Sequence, residues 1–179
     1  MKIIRLHLAL LGLVIAALAM PARGEVYLTP EKFLSDGFAG AAPPPKILWL
    51  TGELARQAEA VLGHKLAALR LRYWAVGARS AWILDEIGKT EAITAGFVIE
   101  NQKIVQLKVL EFRESRGGEV RHPFFTGQFI GLSLLENDQL SEPVDGVSGA
   151  TLSVRAVETM AKFALLLARH VAQGESGAP

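Results

Sequence analysis

The chain has 179 residues, half of them hydrophobic, and no cysteine. That length suits one domain with a real core, and the missing thiols exclude disulfides, thiolate metal sites and a lipid-bearing cysteine. A formal charge of +1 gives no electrostatic case for nucleic acid.

Met1-Lys2-Ile3-Ile4-Arg5 is a short basic start, and Leu6 to Ala19 is an almost unbroken apolar run. Ala22-Arg23-Gly24 then sets small residues at the two positions a signal peptidase reads. The run is too short to span a bilayer comfortably, so residues 1–24 are expected to be a cleaved signal peptide. The mature chain is then periplasmic or otherwise extracytoplasmic. It keeps 16 basic and 18 acidic residues, a slightly acidic balance of −2.

Residues 25–50 read as an extension outside the core. Gly37 to Pro45 is a small-residue run closed by three prolines, which favour a stiff extended path. Trp49 and Leu50 follow and are expected to pack. Thr51 opens a helix over Glu53 to Leu62, and Gly63 stops it. Leu69 to Val76 alternates arginines with apolar residues as a half-exposed strand, and Ser80 to Ile87 is its partner.

Ile93 to Glu100 and Lys103 to Phe112 flank Asn101-Gln102, a hairpin turn. The second of these strands should set Lys103, Val105, Leu107 and Val109 on one face. Ile104, Gln106, Lys108 and Leu110 then take the other. Gly88-Lys89-Thr90 looks like the end of a phosphate-binding P-loop, but Ile83 stands where that motif needs a glycine. A polar turn between strands is the expectation there.

Glu111 to Glu119 is a charged loop, and Pro123 to Gly131 is rich in aromatics. Asp145-Gly146-Val147-Ser148-Gly149-Ala150-Thr151-Leu152-Ser153 runs from a polar loop into a long helix ending near Val171. Apolar residues recur there at Ala156, Val157, Met160, Phe163, Ala164 and Leu167, a broad buried face. A helix start offers unpaired N–H groups and partial positive charge, so a phosphate among Ser148, Gly149 and Thr151 would be held favourably. The alternative reading of the same residues is an ordinary Asx-turn and helix cap, with Ser148 or Thr151 as the capping hydroxyl. Strands followed by a terminal helix, without regular βα alternation, give an α+β fold. It has a mainly antiparallel sheet, an N-terminal helix and a long C-terminal helix. The domain spans 51–172 and 173–179 form a disordered tail.

The stretch D-G-V-S-G-A-T-L-S resembles the flavinylation motif of FMN-binding domains. That family includes the C-type subunit of sodium-pumping quinone reductase and the G-type subunit of the Rnf complex. The resemblance implies FMN joined to Thr151 by a phosphoester, installed by a flavin transferase, with Asp145, Ser148, Gly149 and Ala150 as the surrounding motif. Glu114-Ser115-Arg116-Gly117 is similar to the family's Glu-Thr-Pro-Gly turn, which places Glu114 and Ser115 beside the flavin. Phe125, Phe129 or Leu132 would wall an isoalloxazine ring, and Gln128 would reach its hydrogen-bonding edge. The family's role implies an electron carrier more than a self-contained enzyme. Its redox donor and acceptor are not named by the sequence, and a membrane complex is one candidate.

Other classes fit less well. Gly146-Val147-Ser148-Gly149-Ala150 mimics a nucleophile elbow, but no Asp follows Ser148 and no apolar strand precedes Gly146. His64, His122 and His170 show no metal-binding spacing. The runner-up is a secreted, non-catalytic binding module of the same fold without covalent flavin.

Overall fold

A computed structural model of the protein describes residues 24–174. The leader up to residue 23 and residues 175–179 of the tail lie outside them. Six strands form one sheet, in the order β1-β6-β5-β4-β3-β2, with every neighbour antiparallel. They are β1 (Glu25–Val26), β2 (Lys46–Trp49), β3 (Arg70–Val76), β4 (Arg79–Ile87), β5 (Ala92–Glu100) and β6 (Lys103–Phe112). The helices are α1 (Pro30–Gly37), α2 (Gly52–Leu62), α3 (Pro123–Thr126) and α4 (Thr151–Ala172). The fold is α+β, as the order of sequence elements implied.

The turns follow local chemistry. Asn101 and Gln102 join β5 to β6 with φ of 49° and 62°, the left-handed pair that a two-residue hairpin needs. Gly63 ends α2 at φ 77°. Thr51 does sit at the start of α2, but its side chain makes no capping bond. α1 has the fuller start: Thr29 accepts the Lys32 N–H at 3.2 Å and Pro30 occupies the first turn.

Each face of the sheet has its own core. α4 and α2 cover one, burying Met160, Val157 and Leu167 against Trp82, Phe97 and Ile104. α1 crosses the other, setting Phe33 and Leu34 on Ala81, Val98 and Leu110. Gly96 makes that approach possible, because a Cβ there would sit 2.6 Å from the Phe33 ring.

Two sequence expectations are corrected here. Strict alternation along β6 fails, because Val105 and Leu110 are extra residues in the ladder. Val98 pairs with Gln106 and Ile99 with Ile104; Thr94 pairs with Glu111 and Ala95 with Val109. Each bulge reverses the side-chain phase. Ile104, Leu107, Val109 and Phe112 therefore all join the core under α4, while Leu110 turns to α1. Residues 25–50 are not peripheral either. They supply β1 at one edge, β2 at the other, and the helix between them, with Phe33, Leu48 and Leu50 almost wholly buried. The proline run is the crossover that lets one segment reach both edges.

Candidate functional site

At the end of the sheet where β6 finishes, the chain enters Arg113 to Gly117, and this turn meets the start of α4. Gly117 makes the meeting possible. It has φ 88°, and a Cβ built on it would lie 2.5 Å from Ser153 Oγ and 3.4 Å from Ala150 Cβ. Only glycine fits both demands. The two stretches singled out in the sequence are thus in contact, although about 30 residues separate them.

Between them opens a cleft of about 680 Å³. Its lining includes Phe112, Glu114, Ser115, Arg116, Ser148 and Gly149. Tyr27 and Arg121 also face it, and sequence reasoning missed both. Tyr27 sits in the segment read as an extension, and only the pairing of β1 with β6 brings it here. The Arg121 guanidinium lies 4.5 Å from the centre of the Tyr27 ring and donates to its hydroxyl at 2.7 Å. Tyr27 in turn donates to Glu25 at 3.0 Å. Burial raises the Tyr27 pKa, with the Glu25 bond acting in the same direction and Arg121 opposing them, so the phenol keeps its proton.

The start of α4 has no side-chain cap. Ala150 occupies the capping position, no side chain bonds the first-turn N–H groups, and no acid lies in that turn. Gly149, at φ 80°, turns the backbone into the helix, and Ala150 N–H closes the turn on Val147 at 3.0 Å. Thr151 is the first helical residue and is exposed. Ala150 is buried beneath the Gly117 turn. Ser148 and Asp145 are exposed, with Ser148 on the cleft wall.

Several predicted site residues hold the site together instead of facing the cleft. Gln128 clamps the loop: its Oε1 accepts the Asp145 N–H at 2.7 Å, and its amide reaches the Asp145 and Phe124 carbonyls at 3.5 and 3.4 Å. Phe125 and Phe129 are fully buried, edge to face at 5.4 Å, and Leu132 is also core. None of these three is a wall of the cleft. The rings pointing outward are those of His122 and Phe124, stacked at 6.1 Å.

Glu114 has a task of its own. Its Oε1 accepts N–H groups from Lys89, Thr90 (2.5 Å) and Glu91 (2.9 Å), and Oε2 accepts the Thr90 hydroxyl at 3.2 Å. The Gly88-Lys89-Thr90 turn does bind an anion, then, but the anion is an internal carboxylate. Partial burial pushes the Glu114 pKa up, and the three N–H groups outweigh it, leaving the net shift downward.

The nucleophile-elbow reading has no support. No strand precedes Gly146, and His170 lies 19 residues along α4 from Thr151, roughly 28 Å away at the helical rise. Among the described residues no cluster of His, Asp or Glu could hold a metal ion.

An uncapped helix start, two glycines at positive φ, cationic side chains and a partly aromatic cleft together suit a ligand with a phosphate and a flat ring. The volume lies within the ordinary range for such pockets, roughly 300–1,000 Å³. The fold is an α+β domain with an open cleft at one end of its sheet. Residues 88–166 match the family model of the FMN-binding domain. The match covers the 114–117 turn, the motif ending at Thr151 and most of α4, and omits everything before Gly88. Among solved structures, the chain is similar to NqrC of Shewanella oneidensis. The TM-score is 0.58 at 15% identity, over 75% of this chain and 89% of that one, a likeness of fold. No curated protein matches the sequence.

Proposed function

We propose that this domain is an extracytoplasmic electron carrier, with FMN attached through its phosphate to the Thr151 hydroxyl. The observation that carries this reading is the contact, at one cleft, between the Glu114 to Gly117 turn and the uncapped start of α4. The bond formed joins Thr151 Oγ1 to the flavin's phosphorus. The bond broken is the one from that phosphorus to the leaving group of an activated flavin donor, and the hydroxyl proton departs with that group. A flavin transferase is the partner that makes the new bond, and the net gain is one FMN less one water. Bound FMN supplies reversible redox chemistry that amino-acid side chains lack.

The chain's own residues do the rest. The free N–H groups of the first α4 turn and the helix dipole offset phosphate charge. Gly149 and Gly117 let backbone approach closely. Phe112 and Tyr27 give the cleft lining its aromatic surface, and Ser115 adds a hydroxyl. Thr151, exposed at the helix start, is open to a modifying enzyme.

Export follows from the basic start, apolar run and Ala-Arg-Gly site, with Glu25 as the expected first mature residue. N-terminal sequencing of extracytoplasmic material checks it. No helix among the described residues is long and apolar enough to cross a membrane. A redox donor and acceptor, within a membrane complex or free, complete the reading.

Replacing the nucleophilic oxygen tests the attachment. Co-produced with a flavin transferase, Thr151→Ala should fold normally and carry no covalent flavin absorbance, while Thr151→Ser retains some. An alanine variant as yellow as the parent contradicts the assignment.

A further inference from the structure

We infer that Tyr27 and Arg121 form a second anion-stabilising wall of the cleft, one that tunes the bound ring. The inference rests on the FMN reading above and deepens it. The pair lies outside the loop that would take the phosphate. Arg121 comes from the 3-10 turn Gly118–Arg121, and Tyr27 comes from the N-terminal segment that the family match omits. Both line the same cleft as Ser148 and Gly149.

The guanidinium is held in place. Its carbon lies 4.5 Å from the centre of the Tyr27 ring, its Nη1 donates to the phenol oxygen at 2.7 Å, and it is 3.8 Å from Glu25. A cation fixed on an aromatic face loses less freedom on meeting an anion than a lysine on a flexible stem. Glu25 is more exposed than Arg121, with side-chain exposures of 70% and 37%. Its opposing charge is therefore the better screened by water. Of the other cations on the cleft, Arg113 is paired with Glu111 at 2.5 Å, and Arg116 is exposed on the outer turn. Arg121 is the cleft cation braced by a ring.

Reducing a flavin by two electrons and one proton adds one unit of negative charge to the ring. A nearby fixed cation favours the reduced form and raises the potential. Tyr27 acts through Arg121, as a positioning residue, by holding the guanidinium toward the cleft.

The experiment measures covalent loading by intact mass and midpoint potential by dithionite titration against a reference dye. Arg121→Gln should load as the parent does. Its oxidised-to-reduced ratio should rise about tenfold at the parent's midpoint, a fall of about 30 mV for a two-electron couple. Arg121→Lys, which keeps the charge, should stay near the parent and remains informative if the glutamine variant folds poorly. Tyr27→Phe should shift the potential in the same direction by less. Adding it to Arg121→Gln should add nothing, since Tyr27 has then lost its object. A loaded Arg121→Gln with the parent's potential, or a loaded Arg121→Lys shifted tenfold, overturns the inference and leaves the attachment standing. A parent that never gains FMN overturns the attachment, and the tuning role falls with it.

Discussion

Glu114 holds two turns at once. Its carboxylate closes the β4–β5 turn through the N–H groups of Lys89, Thr90 and Glu91, while its backbone opens the turn that borders the cleft. Glu114→Gln keeps one acceptor but loses the charge and points an amide at donors. After screening at a half-exposed site, the expected cost is about 1 kcal/mol, read from urea unfolding. Because the folded pKa lies below the unfolded value, this stabilisation is present above the unfolded pKa. It is lost as pH falls through the folded one. The gap between parent and variant should therefore close in acid, and a gap that persists there means the charge is not the source. The family resemblance singled out Glu114 but could not show its partners, because the turn that binds it lies 25 residues upstream. Phe125 and Phe129 illustrate the same limit. Composition marks an aromatic cluster, yet only the helical turn decides that these two rings face inward and Phe124 outward.

At the scale of elements, the site depends on how closely a turn sits on a helix start. Gly117→Ala would place a methyl 2.5 Å from Ser153 Oγ at a φ that L-residues avoid. The turn must then lift from α4, at a cost of about 1–3 kcal/mol in stability. FMN loading should fall with it, read as the loaded fraction by mass; unchanged loading and stability would show that the close contact is not needed. α4 itself was legible, since a run of residues without Gly or Pro and with a 3.6-residue apolar period leaves little choice. β6 was less so. Its two bulges depend on pairing with β5, and a strand's own sequence does not reveal where its partner skips a residue.

At the scale of the molecule, residues 25–50 close the sheet at both edges and cover its second face. A chain lacking them exposes β3 and β6 as open edges and uncovers Ala81, Val98 and Leu110. It should aggregate, or give a collapsed amide NMR spectrum. A well-dispersed spectrum would show that residues 51–172 fold alone. The proline run made the segment look like a linker because local composition reports stiffness and not destination. Tyr27 escaped notice for that reason, although it sits on the cleft wall.

The central claim is a covalent bond at one hydroxyl, and peptide mapping by tandem mass spectrometry tests it most directly. The protein, co-produced with a flavin transferase, is digested and the peptide spanning residues 143–155 fragmented. The account predicts an added mass of one FMN less one water, with every fragment that retains the modification containing Thr151. The same mass on Ser148 or Ser153, or a peptide that stays unmodified while the transferase loads a known substrate, would contradict it.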